Sequence, residues 1–205
     1  MALASILEPG TTVLAQLSRL AWAETAHPDG YLADLTEQLV RLLGVDMALV
    51  GVVDNARKSY RTIANYSASR GRLGAFEQEL LGSAAAEVSG PDVVCVPRGA
   101  LQRFPLDWLI REQGAEGFFG MPLFGASGDR IGVLALYHSG ELMLDLSLTV
   151  RLEVIGQRAS AELALHRSTV QKPLNSRIIS AERPVPSEES APTSIPSSVE
   201  RISFG

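Results

Sequence analysis

The chain has 205 residues, 46% of them hydrophobic and 20% charged, with a formal net charge of -5. That length suits one well-cored domain with extensions, and the negative balance argues against nucleic-acid binding through a broad basic field. The single Cys95 rules out an internal disulfide and an all-cysteine metal site within one chain, and fits a reducing compartment.

Met1 to Leu7 is largely apolar but lacks Lys and Arg, and Glu8-Pro9-Gly10 ends the run, so no secretory signal is expected. The longest other apolar run, Met47 to Val53, is too short to span a bilayer. A cytoplasmic protein with no membrane partner follows as the expectation. Thr11-Thr12 precede Val13, Leu14, Leu17 and Leu20, a helical spacing with a hydroxyl residue placed to cap it. After the break His27-Pro28-Asp29-Gly30, a leucine face from Leu32 to Leu43 predicts a second helix that stops at Gly44.

Met47 to Val53 and Tyr60 to Tyr66 read as a hairpin turning at Asp54-Asn55. Val93 to Val96, Gly117 to Phe124 and Ile131 to His138 supply three more strands, the last two joined through Gly125-Ala126-Ser127-Gly128-Asp129. Ser83 to Val88 and Asp107 to Gln113 read as short helices. From Leu142 the leucines alternate with period two, yet Leu148, Leu152, Ile155, Ala159 and Leu163 keep helical spacing; with Asp145 as cap, a helix is expected, weakened only at Gly156. Beyond Gln171 the chain turns Pro- and Ser-rich, and disorder is expected, with Arg177-Ile178-Ile179-Ser180 and Arg201-Ile202-Ser203-Phe204 as apolar echoes. The division is residues 1–30 for the first helix and connector, 31–170 for the domain, and 171–205 for the tail. Strands apolar at successive positions imply a sheet covered on both faces.

Three strings carry a family resemblance: LGVDMALVGVVD (Leu43 to Asp54), VVCVPRGALQRFP (Val93 to Pro105) and GAEGFFGMPLFGASGDRIGVLALYH (Gly114 to His138). In order and character they resemble the GAF family of small-molecule-sensing domains. The resemblance implies an α+β, GAF/PAS-like fold. It consists of a central antiparallel sheet of five to six strands, terminal helices on one face, and short helices and loops over a ligand cavity on the other. It also implies a sensory, non-enzymatic role, a homodimer, a small-molecule ligand of unknown identity, and a separate signalling output protein. Arg98, Arg103, Phe104, Trp108 and Arg111 fall on the roof where such domains hold ligands, with Phe118, Met121 and His138 added from the strands beneath; arginines near aromatics suit an anionic ligand. No cofactor or metal set is evident. Cys95, among valines in a strand, is expected in the core. The alternatives are a structural dimerisation module without ligand, and a GAF-type free methionine sulfoxide reductase, against which the lack of a second thiol counts.

Overall fold

The computed structural model describes residues 9–22 and 28–171; the readings of the Pro- and Ser-rich tail, of Met1 to Leu7 and of His27 lie outside them. In chain order the elements are α1 (Pro9–Leu20), α2 (Pro28–Leu43), β1 (Met47–Asp54), β2 (Ser59–Ser67), β3 (Gly71–Arg72), β4 (Glu77–Glu79), α3 (Ala84–Glu87), β5 (Val94–Val96), α4 (Ala100–Arg103), α5 (Trp108–Gln113), β6 (Gly117–Phe124), β7 (Arg130–His138) and α6 (Leu146–Gln171).

Two hairpins, β1–β2 and β6–β7, lie side by side because β1 also pairs with β7, from Met47 opposite Tyr137 to Val52 opposite Gly132. The strand order is β3-β2-β1-β7-β6-β5, with β4 also on β2, and every pairing is antiparallel. The central β1 and β7 are buried on both faces, which is why their apolar residues run consecutively. One strand count departs from expectation. The seven-stranded sheet gains β3 and β4, two and three residues long, too short to show an alternating pattern in sequence.

One face of the sheet carries Ala48, Val50, Leu134 and Leu136 against Leu17 of α1, Leu32, Leu35 and Leu39 of α2, and Leu152, Ile155, Ala159 and Leu163 of α6. The other carries Met47, Leu49, Val133, Ala135 and Tyr137 against residues of α3, α4 and α5. Helix boundaries follow local chemistry. Asp145 caps α6 through its Oδ1, which accepts the Leu148 N–H at 2.7 Å. Gly44 ends α2 in the left-handed region, φ 67°, its N–H donating to the Val40 carbonyl.

α1 and α2 begin earlier than read, at Pro9 and Pro28, since proline's fixed φ suits a first helical position. The helix α4 was not expected at all. It follows Gly99, whose φ of 79° turns the chain out of β5.

Candidate functional site

The three helices over the second face are only four, four and six residues long. One side chain ties two of them together. Asp107, wholly buried, accepts the N–H groups of Leu109 (2.9 Å) and Ile110 (3.2 Å) through Oδ1, which caps α5, and that of Ala84 (2.8 Å) at the start of α3 through Oδ2.

Beneath this roof lies a row of aromatic rings. Phe118 meets Phe104 edge-on at 5.7 Å between centroids and Tyr137 at 5.3 Å. Tyr60 stands opposite Val53 on β1, and its hydroxyl donates to Oε1 of Gln78 at 2.9 Å. Tyr137 is fully buried and electrostatically coupled to Tyr60, yet its own hydroxyl has no hydrogen bond of ordinary geometry among the described residues. Burial pushes both phenols well above their usual value, and the charge of Asp107 pushes them further.

The eight residues expected to line one surface separate into four groups. Phe104 and Phe118 are buried in the aromatic row. Trp108, Arg103 and Arg111 stand on the outside of the roof. Trp108 is 40% exposed with its ring edge-on to Phe76, and Arg103 pairs with Glu87 at 2.5 Å while its guanidinium lies over the Phe104 ring. Arg111 is exposed in the last turn of α5.

Arg98 and His138 lie towards the end of the sheet where β7 finishes. Arg98 is exposed and pairs with Glu141 at 2.5 Å. His138 is half-buried, its Nδ1 3.1 Å from Oδ2 of Asp46. Met121 departs furthest from expectation, because it faces the terminal helices. Three positions separate it from Phe118, so the two side chains leave opposite faces of β6.

Cys95 corrects a second reading: it is exposed, not core. β5 is a three-residue edge strand on which Val96 points inward and Cys95 outward. Partial burial still pushes the thiol up, and a nucleophilic cysteine needs the opposite shift.

The buried polar members, Tyr60, Tyr137 and Asp107, were not singled out from sequence. Tyr60 and Tyr137 sit on β2 and β7, strands far apart in the chain that meet only through β1. Asp107 alone left a signal, as a capping residue before Trp108-Leu109-Ile110.

No family model matches the chain, and no curated protein matches it in sequence. Solved structures do match in fold. The GAF domain of an Acinetobacter phosphoenolpyruvate-protein phosphotransferase superposes with a TM-score of 0.62 at 14% identity, covering 78% of this chain and 95% of that one. The GAF domain of the corresponding Coxiella burnetii protein gives 0.62 at 16% identity, over 81% and 99%. Free methionine-R-sulfoxide reductase from Neisseria meningitidis, solved with its substrate, gives 0.59 at 17% identity, over 82% and 98%. At these identities the likeness is one of fold.

Proposed function

From the GAF fold that this chain adopts, we propose that it is a non-catalytic sensory module. In this reading a small molecule binds beneath the roof, and the change is passed through α1, α2 and α6 to a dimer mate or a separate output protein. The observation that carries the reading is the fully buried hydroxyl of Tyr137, which meets Tyr60 without a hydrogen bond of ordinary geometry, under helices too short to be stable alone. A buried hydroxyl left wholly without a partner costs about 1–3 kcal/mol, and a ligand offering a well-placed acceptor oxygen would recover the part of this that the poorly aligned Tyr60 contact leaves.

Of the three arginines expected to hold an anion, Arg98 pairs with Glu141 and Arg103 with Glu87, and Arg111 is exposed on the outside of the roof. A neutral ligand with an acceptor oxygen therefore suits the roofed space better than an anion.

Thermal denaturation with a panel of neutral and anionic metabolites tests the reading. A ligand at about 100 times its Kd stabilises by about 2.7 kcal/mol and raises Tm by several degrees. Tyr137→Phe is expected to lose that shift without lowering the Tm of the free protein. Should no compound raise Tm, the structural dimerisation module is the better account.

A further inference from the structure

At one end of the sheet the two hairpins part. Pairing between β1 and β7 stops at Val52 and Gly132, whereas β1 runs on to Asp54 with β2, and β7 reaches back to Arg130 with β6. The split opens a cleft of about 570 Å³ between the two hairpin turns, with the C-terminal part of α6 along it. That volume lies within the range of small-ligand sites.

Arginines dominate its charge. Arg61 of β2, Arg130 of β7 and Arg167 of α6 all line the cleft, and none forms an ion pair with a described residue. Most other described arginines do form one, so three unpaired guanidinium groups in one place stand out in a chain of net charge -5. Arg130 is the best held. Its Nη1 donates to the carbonyls of Ala85 and Val88, whereas Nε and Nη2 make no hydrogen bond among the described residues. Burial pulls this guanidinium below its usual value, and it stays charged.

Two carboxylates also line the cleft; both are hydrogen-bonded within their own turns, and Asp54 in addition feels the charge of Arg167, which helps to lower its carboxyl without an ion pair between them. Oδ1 of Asp54 accepts the N–H groups of Ala56 and Arg57, each at 3.0 Å, and Asp129 accepts the Ser127 hydroxyl at 2.9 Å. The wall beneath is apolar, from Val52 and Ile131. Guanidinium forks suit tetrahedral oxyanions, which several of them can contact at once.

We propose that this cleft is a binding site for a small phosphate-bearing anion, held by Arg61, Arg130 and Arg167. It is separate from the roofed core, so its test stands whichever way that of the sensory site falls.

Inorganic pyrophosphate is the probe, titrated calorimetrically into the full chain at constant ionic strength. Saturable binding at one site is expected, weakened about tenfold by Arg61→Gln or by Arg167→Gln, since each loses a charge-assisted contact. Both side chains lie towards the surface, so the fold is expected to survive; Arg130 is left in place because it holds α3. Arg98→Gln, at a distant ion pair, is expected to change affinity by less than about twofold. The proposal is overturned if pyrophosphate does not saturate below about 10 mM. It is equally overturned if Arg98→Gln weakens binding as much as the cleft variants, or if succinate binds as well as pyrophosphate.

Discussion

Asp46 shows how a half-exposed carboxylate can matter to the end of a central strand. Its Oδ2 accepts the Ser139 N–H at 2.5 Å and lies 3.1 Å from Nδ1 of His138. Burial pushes the carboxyl up, but the Ser139 hydrogen bonds and His138 more than offset this, and the carboxyl ends below its usual value. The sign follows from the lowered value. The stabilisation is fully present above the unfolded carboxyl value of about 4 and is lost as pH falls through the lower folded value. Asp46→Asn is therefore expected to flatten the acid limb of stability measured by urea denaturation from about pH 7 to about pH 3. At neutral pH it should cost no more than about 1 kcal/mol, because solvent screens the site. Parallel acid limbs in the two proteins would refute this role for Asp46. His138 could be picked out from its place at a strand end, whereas Asp46 could not, since 92 positions separate them and only the β1–β7 pairing brings them together.

Among the elements, α6 owes its seat to two glycines. A Cβ on Gly132 would stand 2.3 Å from Leu163 Cδ2 and 2.5 Å from the Gly51 carbonyl oxygen. A Cβ on Gly156 would meet Met121 Cε at 2.5 Å. The two differ in what must yield. At Gly132 the obstacle includes backbone of β1, so Gly132→Ala is expected to destabilise by about 2–3 kcal/mol, read as a lower urea midpoint with unchanged slope. An unchanged midpoint would mean that helix and sheet adjust freely. Gly156 faces only the tip of a flexible thioether. The glycine that interrupts the helical pattern in sequence is thus where Met121 packs. A polar knot fixes α6 to α2 on the same side: Glu162 is buried and bonded to Arg158 at 2.6 Å, and the guanidinium lies 4.9 Å from the Tyr31 ring centroid. Burial pushes the Tyr31 phenol up to about 12.

For the molecule as a whole, α6 buries Leu152, Ile155, Ala159 and Leu163 yet leaves Leu146, Val150, Val154 and Leu165 exposed, from 41% to 79%. A second apolar face on a helix already packed against a sheet is what the proposed homodimer requires. Light scattering coupled to size exclusion is expected to find a dimer, and a Val150→Glu, Val154→Glu variant is expected to be monomeric with unchanged far-UV circular dichroism. A monomeric parent protein would remove the dimer from the proposal. No described helix is long and apolar enough to cross a membrane.

Sequence alone determined the periodic and punctuated parts of this protein. The leucine faces of α2 and α6, the Asp145 cap, the Gly44 stop and the two principal hairpins each rest on neighbours within a few residues, where one chain segment carries its own signal. The tertiary structure decided what depends on registry between distant strands. It placed Met121 under α6, turned Cys95 outward on an edge strand, and gathered Tyr60, Tyr137 and Asp107 into one buried group. Such outcomes turn on which face a residue leaves and which strand lies beside it, and neither is encoded within a single element.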